Sequence, residues 1–389
     1  MKLKKIFISA GEVSGDVHGA RLVNEIRKAD PSIEFTGIGS EKMAAAGVKL
    51  YADLTKKSTI GFIEPLIYIP GLFLTFLKMK KLIGKDKPDL VIAIDNQGFN
   101  MVFLAAVKKL KIPAVYYISP QEWQWGTDKG GKAVTGITDK ILAIFREEAE
   151  FYNRLGGNAV YIGNPILDIA RPEINKDNFK KLYKIGDKKK ILAVFPGSRM
   201  QEIRHSFPVL LASAVNISKS VSDIEIIISV TKPYFLKKIK RLVKKYNTGM
   251  TLYSGNNYDL ISNSDLSLTK SGTITLEHAV LGTPFIAGYR LGKISYMVIK
   301  KIMEKKWHKI SFISLPNIYL GRMAYPEFIQ DDFNTGNVTY EAVRILTDEK
   351  RRSELKAASG EVRKLLGEPG VVKRAAAEIL SMLAVTDRY

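Results

Sequence analysis

Short apolar runs with the length of buried β-strands alternate with stretches of helical periodicity along most of this 389-residue chain. In the first half, strands are predicted at residues 4–9, 33–38, 89–94, 113–118, 139–144 and 158–162. After the first of these, apolar residues recur at the spacing of one helix face, at Val17, Ala20, Leu22, Val23 and Ile26. Strands alternating with helices are typical of a parallel sheet covered by helices.

The alternation stops in the middle of the chain and then restarts. A charged, weakly patterned stretch follows Gly163-Asn164-Pro165, and it includes the run Lys188-Lys189-Lys190, which indicates a linker or domain edge. Further strands are then predicted at residues 191–196, 224–229, 266–269 and 284–288. We therefore expect an α/β protein with two Rossmann-like domains facing each other across a cleft, at residues 1–168 and 169–347, followed by a helical tail at residues 348–389.

Residues 11–16, GEVSGD, separate the first predicted strand from the first predicted helix. Such a turn places a helix N-terminus beside the carboxyl end of a strand, where open α/β sheets bind their ligands. A structural role explains the same residues equally well, because Gly11 and Gly15 permit unusual backbone angles and Ser14 or Asp16 can cap the helix. This segment alone does not decide between the two interpretations.

The second predicted domain contains two similar turns. Residues 197–199, Gly-Ser-Arg, follow a strand, and their backbone N–H groups and guanidinium can hold a diphosphate. Residues 271–277 repeat the design, and a helix starting near Thr273 would place Glu277 about one turn in, where it can accept hydrogen bonds from a ribose diol. Helix capping by Ser271 or Thr273 is the alternative, but two such turns in one domain favour a nucleotide.

In the first predicted domain, the strand at residues 89–94 leads directly into Asp95. An aspartate at this place is a helix cap or a catalytic base, and the pattern alone favours the cap. After the next strand come residues 119–125, SPQEWQW, with Trp123 and Trp125 two positions apart. These rings either stack on a sugar or pack between elements of the fold, and packing is the commoner role.

The amino-acid composition limits which kinds of site and partner the protein can have. The chain has no cysteine, which excludes disulfides, thiolate metal sites and a cysteine nucleophile. Its four histidines form no HxxxH pair, and it has no Asp-x-Asp triplet to hold a cation under a nucleotide diphosphate, so we expect neither a metal nor another cofactor. The net charge of +21 favours a polyanionic partner, which is a nucleic acid, a phosphorylated ligand or an anionic membrane face.

Two further segments bear on location. The first residues, MKLKKIFISAGEVSGD, contain only a brief apolar run that ends in carboxylates, which predicts the first strand of a cytoplasmic protein rather than a signal peptide. The longest uncharged apolar run, residues 65–77, is too short to span a bilayer, and its two prolines and glycine predict a helical hairpin or a kinked helix.

Four lysines follow this run directly, so we interpret it as a membrane contact, with packing in the core as the alternative. The predicted contact residues are Leu66, Ile69, Leu72, Phe73, Phe76 and Leu77.

Taken together, the motifs resemble those of the lipid A disaccharide synthases. The matching segments are GEVSGD (11–16), IDNQGFN (94–100), SPQEWQW (119–125), FPGSRMQEI (195–203), SGTITLE (271–277), GYR (288–290) and SLPNIYLGRMAYPEFIQ (314–330). The similarity extends from about residue 4 to residue 335. Four positions depart from the family's usual residues, which are Pro, Asp, Ala and His where this chain has Gln97, Gly98, Gln124 and Asn164.

The resemblance implies two facing Rossmann-like domains of the GT-B type and an inverting glycosyl transfer. In this reaction the 6-hydroxyl of 2,3-diacylglucosamine 1-phosphate attacks the anomeric carbon of UDP-2,3-diacylglucosamine, giving a β(1→6) disaccharide 1-phosphate and UDP. It also implies a peripheral position on the cytoplasmic face of the inner membrane and no nucleic-acid partner. The sequence leaves open whether the chain acts alone or as a homodimer.

Residue roles follow from the same resemblance. Asp95 is the candidate general base, and Glu12 is a further candidate catalytic residue. Arg199 and the backbone around Ser198 are the candidate diphosphate clamp, and Glu277 is the candidate ribose contact. Glu12, Ser14, Asn317 and Gln330 are expected to line the cleft. The full set expected to bind substrate or UDP adds Gly15, Asp16, Asn100, Trp123, Gly197, Glu202, Ser271, Gly272, Thr273, Tyr289, Arg290, Gly321 and Arg322.

Two alternatives remain at this point. One is another enzyme of the same fold, such as the peptidoglycan N-acetylglucosaminyl transferase or a UDP-sugar 2-epimerase, and the GEVSGD and SLPN segments speak against both. The other is a non-catalytic nucleic-acid-binding protein, suggested by the net charge. It predicts basic residues interleaved with aromatic residues along one stripe, whereas Lys and Arg are expected to be scattered over helix faces, as on a solvated surface.

Overall fold

The computed structural model describes residues 4–54, 64–230, 233–246, 249–292, 296–297 and 312–386. It divides the chain into two compact units. The first unit comprises Met1–Asp168 and Leu366–Tyr389, and the second comprises Ile169–Leu365. Each unit carries one sheet of parallel strands with helical connections. The prediction of two Rossmann-like α/β domains is confirmed in this respect.

The first unit contains a seven-stranded sheet with the order β3-β2-β1-β4-β5-β6-β7. Its strands are β1 (Lys5–Ala10), β2 (Glu34–Ile38), β3 (Lys49–Ala52), β4 (Leu90–Ile94), β5 (Ala114–Tyr117), β6 (Lys140–Ala143) and β7 (Ala159–Tyr161). The helices that begin in it are α1 (Val13–Ala29), α2 (Glu41–Ala45), α3 (Glu64–Asp86), α4 (Gln97–Lys109), α5 (Glu122–Trp125), α6 (Asp128–Thr135), α7 (Arg146–Arg154) and α8 (Ile166–Ile169).

The second unit contains a six-stranded sheet with the order β10-β9-β8-β11-β12-β13. Its strands are β8 (Lys190–Phe195), β9 (Ile224–Ser229), β10 (Thr251–Tyr253), β11 (Leu266–Lys270), β12 (Phe285–Tyr289) and β13 (Glu327–Ile329). Its helices are α9 (Lys176–Leu182), α10 (Met200–His205), α11 (Phe207–Ser220), α12 (Leu236–Val243), α13 (Asn257–Asn263), α14 (Thr273–Leu281), α15 (Leu315–Leu320), α16 (Thr335–Thr347) and α17 (Glu349–Leu366). Helix α18 (Val371–Thr386) follows in the first unit.

The central strands read as unbroken apolar runs because helices cover both faces of a parallel sheet. Every residue of β4 is buried, for example, as are five of the six residues of β1. The pattern missed β3, β10 and β13, which lie at sheet edges or are only three residues long. Such strands are partly exposed, so their residues need not be apolar and the periodicity is lost.

The two places where the chain crosses between the units are hydrogen-bonded to each other within the first unit. The Asp168 carboxylate accepts the N–H groups of Gly370 (2.7 Å) and Val372 (3.0 Å) at the start of α18. The N–H of Asn164 donates to the Leu366 carbonyl (2.9 Å). Residues 348–389 therefore divide between the units, with most of α17 in the second and α18 packed against α1 in the first.

Helix α3 is one continuous helix with Pro70 inside it, rather than the hairpin that was one of the two predicted forms. Its C-terminal half packs on the sheet through the buried side chains of Met79 and Ile83, whereas Phe73 and Leu74 are 58% and 67% exposed. Leu72 and Phe76 pack partly against the core, Leu77 is exposed, and Leu66 and Ile69 lie outside the residues whose side chains the structure describes. No helix in the described ranges is long and apolar enough to cross a membrane.

Candidate functional site

The strand order reverses between β1 and β4 in the first unit and between β8 and β11 in the second. Open α/β sheets bind ligands at the carboxyl ends of the strands at such a reversal. Glu12 follows β1 and Asp95 follows β4, while Arg199 follows β8 and residues 271–273 follow β11. The main residues that the sequence suggested therefore lie at the reversal point of each sheet.

The turn after β1 is shorter than the sequence suggested. Helix α1 begins at Val13, so only Gly11 and Glu12 separate it from the strand, and Ser14 already lies in the first helical turn. Glu12 is the N-cap residue, but its side chain makes no capping hydrogen bond. A Cβ atom at Gly11 would lie 1.7 Å from the Asn96 side-chain nitrogen, so a larger residue would displace the Asn96 side chain from the place where the ends of β1 and β4 meet.

The backbone after β4 is held in an unusual conformation. Asp95 and Asn96 have φ values of 50° and 47°, in the left-handed region that residues other than glycine rarely occupy. The Asp95 carbonyl accepts hydrogen bonds from Asn100 Nδ2 (2.7 Å) and the Tyr116 hydroxyl (3.0 Å). The N-cap of α4 is Asn96, so helix capping does not explain the presence of Asp95. Strain that is held by surrounding contacts in this way is common at functional sites.

The Asp95 carboxyl has the acid strength of a general base. Burial, and after it the charge of Glu12, raises its pKa to about 6, although a backbone hydrogen bond from Asn96 opposes them. A carboxylate with this pKa is ionised at neutral pH, yet it accepts a proton more readily than an exposed aspartate. The first unit therefore offers a proton acceptor at its reversal point.

Two polar residues expected to bind substrate in the first unit have structural roles instead. The Asp16 carboxylate accepts the N–H groups of Ser40 (2.6 Å), Lys42 (2.9 Å) and Met43 (3.2 Å), and so caps α2. The Asn100 side chain is fully buried. Its Oδ1 accepts the Ser9 hydroxyl near the end of β1, and its Nδ2 donates to the Asp95 carbonyl after β4. Both side chains therefore hold the local backbone, and Gly15 is buried.

The SPQEWQW segment is held by Glu148, a residue that sequence reasoning missed. The buried Glu148 carboxyl accepts the Ser119 hydroxyl (2.5 Å) and the N–H groups of Ile144 (2.7 Å) and Phe145 (3.2 Å), and burial raises its pKa to about 7. The Trp123 ring packs 5.5 Å from the Phe145 ring. In the described part of the chain, the buried Trp123 Nε1 has no hydrogen-bond partner, so this donor is available to a ligand or a water molecule.

The diphosphate clamp expected in the second unit differs from its prediction. The N–H groups of Ser198 (2.7 Å) and Arg199 (3.1 Å) donate to the buried Glu202 carboxylate, so these backbone groups are not free for a phosphate. Glu202 also lies 3.4 Å from the Arg199 guanidinium and 3.5 Å from the Lys270 ammonium. Glu202 and Gly197, whose φ is 111°, therefore shape the turn, and the cationic side chains are the groups that remain for an anion.

Lys270 ends β11 and was not among the predicted site residues. Burial raises the pKa of the Glu277 carboxyl to about 7, and the Lys270 charge opposes this rise. Helix α14 begins at Thr273, so Glu277 lies about one turn in, as expected. Its N-cap residue is Gly272, with φ of 144°, and no side chain caps it, since the Ser271 hydroxyl donates to the Ile313 carbonyl (2.5 Å).

The Asn317 side chain is saturated by hydrogen bonds inside the second unit. Its Nδ2 donates to the Tyr325 carbonyl (2.7 Å) and to Glu327 (2.9 Å), and its Oδ1 accepts the N–H groups of Ala324 and Tyr325, both at 2.9 Å. Asn317 is fully buried, so the expectation that it lines a cleft does not hold in the structure. It joins α15 to β13 instead.

Most of the remaining predicted residues of the second unit also make contacts within the unit. The Arg290 guanidinium donates to the carbonyls of Gln330 (3.1 Å) and Phe333 (2.5 Å), and Arg322 pairs with Glu361 (2.7 Å). Gly321, with φ of 64°, ends α15, and the backbone of Gln330 has φ of 54°. Tyr289 lies near the charged groups at the end of β8. Burial and the charge of Glu202 raise the pKa of its phenol, and the charge of Arg199 lowers it.

Within the described ranges, no three His, Cys, Asp or Glu side chains lie together as metal ligands would. The groups available for chemistry are therefore the Asp95 carboxylate with Glu12 in the first unit, and Arg199, Lys270, Tyr289 and Glu277 in the second.

A family model described as lipid-A-disaccharide synthetase matches residues 6–380. The chain belongs to this family. Curated relatives named lipid-A-disaccharide synthase include those of Geobacter sulfurreducens, 32% identical over 379 residues with 97% of each chain covered, and Syntrophus aciditrophicus, 32% identical over 388 residues with 100% of each covered. The relative from Synechocystis is 31% identical over 385 residues, with 97% of each chain covered.

Two solved structures with a similar fold carry other names. A putative UDP-N-acetylglucosamine 2-epimerase from Listeria monocytogenes superposes with a TM-score of 0.69 at 14% identity, covering 100% of this chain and 99% of that one. The S. aureus MnaA–UDP co-structure gives 0.67 at 16% identity, covering 98% and 97%. At these identities the likeness establishes the fold alone, which is of the GT-B type, and the family match distinguishes the chain from the epimerases.

The role of Asn317 generates a prediction about stability. Asn317→Asp removes the donor to the Tyr325 carbonyl and places a second carboxylate beside Glu327, so we expect a loss of about 2–4 kcal/mol in the free energy of unfolding. Thermal unfolding monitored by circular dichroism measures it. Asn216→Asp on the exposed side of α11 is the matched control and should change the melting temperature little. If Asn317→Asp melts at the same temperature as the unmodified protein, the hydrogen bonds of Asn317 do not stabilise the second unit.

Proposed function

We propose that this chain transfers 2,3-diacylglucosamine from UDP-2,3-diacylglucosamine to the 6-hydroxyl of 2,3-diacylglucosamine 1-phosphate, releasing UDP. The observation that carries the proposal is the family match over residues 6–380, combined with a proton acceptor and a cationic group at the reversal points of the two sheets. Incubating the purified protein with both acylated substrates and measuring UDP release tests it. Release that requires both substrates together, with formation of the disaccharide 1-phosphate, is the expected result.

In the proposed mechanism, Asp95 accepts the proton of the attacking 6-hydroxyl. The hydroxyl oxygen forms a bond to the anomeric carbon as the bond from that carbon to the UDP oxygen breaks, so one displacement inverts the configuration. A positioned base typically contributes about 10²- to 10⁴-fold to the rate of such a step. The pKa of about 6 supports this role, because it leaves Asp95 ionised at neutral pH. Glu12 contributes by raising that pKa.

The leaving UDP gains negative charge as its bond to the sugar breaks. We assign the compensating charge to Arg199 and Lys270, whose cationic groups both lie near Oε1 of the buried Glu202 carboxylate. The N-terminus of α14 adds a partial positive charge next to them. Glu277, one turn into α14, is the group that accepts hydrogen bonds from the ribose.

We further propose that the protein associates with the cytoplasmic face of the inner membrane through α3. Phe73, Leu74 and Leu77 lie on its exposed side, and the lysines at 78, 80 and 81 follow them, also exposed. Apolar side chains next to cations are typical of segments that rest at the boundary between head groups and acyl chains. Both substrates carry acyl chains, so an enzyme that uses them needs access to a lipid surface.

The role of Asp95 predicts a pH dependence. Since the base must be ionised, kcat should fall as the pH drops below about 6, by roughly tenfold per pH unit, and reach a plateau above that value. Asp95→Asn should lower kcat about 10²- to 10⁴-fold without changing thermal stability much. Glu12→Gln removes the neighbouring charge and should move the acidic limb of the profile to lower pH. A loss of less than tenfold in Asp95→Asn would assign the base to another group, of which Glu12 is the nearest candidate.

The role of Arg199 predicts a loss of nucleotide affinity. A charge-assisted clamp on a diphosphate contributes roughly 1.5–3 kcal/mol, so Arg199→Ala should weaken UDP binding about 10- to 150-fold in isothermal titration calorimetry. Arg204→Ala, an exposed arginine on the same helix, serves as the control and should bind UDP as the unmodified protein does. Equal affinity in Arg199→Ala would place the diphosphate elsewhere.

The exposed side of α3 predicts the outcome of a liposome experiment. Phe73→Ser combined with Leu74→Ser should release the protein from vesicles of pure phosphatidylcholine and raise KM for the acylated substrates, while the melting temperature changes little because both side chains are already exposed. The matched control combines Leu182→Ser and Tyr340→Ser, which are 62% and 73% exposed in the second unit. If the α3 variant unfolds, or if it stays on the phosphatidylcholine vesicles, α3 is not the membrane contact.

A further inference from the structure

The second unit carries a strongly basic surface that the proposed reaction does not use. Between Glu225 and Asp259 the chain has no acidic residue but seven lysines and arginines. Six of them lie in α12 or in the short 3₁₀ turn that follows it, at residues 244–246. We refer to these six as the α12 cluster: Lys237, Lys238, Lys240, Arg241, Lys244 and Lys245.

The helix presents these cations on one side. Lys237, Lys240, Arg241 and Lys244 follow the spacing of one helix face, and all four are exposed. The opposite side packs into the unit through Ile239, which is buried, and the preceding Phe235 is buried as well. The orientation of the cationic face is therefore set by the packing of the apolar face rather than by any partner of the cations.

None of the six cations forms an ion pair with any residue in the described ranges, and this distinguishes them from other basic residues of the same unit. Lys176 pairs with Asp265 at 2.7 Å, Lys189 with Glu225 at 2.8 Å, and Arg322 with Glu361 at 2.7 Å. An acid-free segment without ion pairs keeps its full positive potential, which attracts anionic surfaces over about a Debye length.

An aromatic ring stands at the edge of this surface. Tyr234 is 65% exposed and its ring lies 4.3 Å from that of the buried Phe235. Tyrosine is enriched at the level of lipid head groups, where its ring and hydroxyl meet both phases. The apolar face of α12 is already buried in the protein, so the helix has no apolar side left to insert into acyl chains, and its contact with a bilayer is electrostatic.

We propose that the α12 cluster binds the anionic head groups of a phospholipid bilayer, so that the second unit has its own membrane contact. This contact is distinct from α3, which belongs to the first unit and presents apolar side chains. The choice of a membrane as the partner rests on the proposed function, because its substrates are lipids. A nucleic acid fits less well, since single strands require several exposed aromatic rings for stacking and the surface offers Tyr234.

Vesicle sedimentation without substrates tests the proposal, so that its result does not depend on turnover. The variant Lys237→Ser/Lys240→Ser/Arg241→Ser is compared with the unmodified protein on vesicles of phosphatidylcholine with and without phosphatidylglycerol. Each cation near an anionic bilayer strengthens binding by up to about fivefold, so the triple variant should partition about tenfold or more weakly to the anionic vesicles. The difference between the two proteins should vanish on pure phosphatidylcholine and shrink as NaCl is raised.

The control variant removes the same charge elsewhere in the second unit. Lys356→Ser/Arg363→Ser/Lys364→Ser neutralises three exposed cations of α17 and should keep anionic-vesicle binding within about twofold of the unmodified protein. Repeating both measurements in the Phe73→Ser/Leu74→Ser background prevents the α3 contact from masking the effect. Turnover in neutral detergent micelles should stay within about twofold in both triple variants, which separates this proposal from the proposed reaction.

Three results would overturn the inference. Equal losses in the two triple variants would show that net charge, rather than the α12 cluster, drives binding. Unchanged vesicle binding in the α12 variant in both backgrounds would show that the cluster does not contact lipid. If the unmodified protein binds a single-stranded RNA and the α12 variant does not, while the α12 variant still binds vesicles, the surface is a nucleic-acid site.

Discussion

The close approach of two strand ends is the constraint on which the first unit's candidate site depends. Where β1 ends, Gly11 leaves room for Asn96, and the chain after β4 turns through two successive left-handed residues, Asp95 and Asn96. Asn100 and Tyr116 hold the Asp95 carbonyl, so the strained backbone is fixed from both the following helix and the neighbouring strand. The same approach brings Glu12 close enough for its charge to raise the pKa of Asp95. The backbone conformation of Asp95 and the raised pKa of its carboxyl therefore both result from the approach of these strand ends.

Buried carboxylates hold several of the loops in both units. Asp16, Glu148, Glu202 and Glu327 each accept two or more hydrogen bonds from backbone N–H groups at turns or helix starts. Buried N–H groups need such partners, because an unpaired one is costly to remove from water. The loops that carry Asp95 and Arg199 lie among these turns. The carboxylates that hold the loops are thus different residues from Asp95 and Arg199, which are proposed to act on the substrates.

Fold and function are also separable in this protein. Its architecture resembles that of a putative UDP-N-acetylglucosamine 2-epimerase at 14% identity, whereas its sequence belongs to the lipid-A-disaccharide synthases over nearly its whole length. Doubly wound sheets place ligands at the reversal of strand order whatever the reaction is. The reaction is decided by the side chains at that reversal, and here they include a raised-pKa carboxyl and an arginine beside a lysine.

The sequence by itself determined the two parallel-sheet domains, the central strands and the start of α14 near Thr273, because buried strands and helix faces leave periodic apolar patterns. It also placed Glu12, Asp95 and Arg199 at strand ends. The tertiary structure alone decided which polar residues remain free. Asn317 and Asp16 look like ligands in a motif, but the fold supplies their hydrogen-bond partners, which lie at residues 324–327 for Asn317 and at residues 40–43 for Asp16. Lys270 gains its place beside Glu202 only when β11 pairs with β8. Local patterns record burial, whereas hydrogen-bond partners depend on which distant segments the fold brings together.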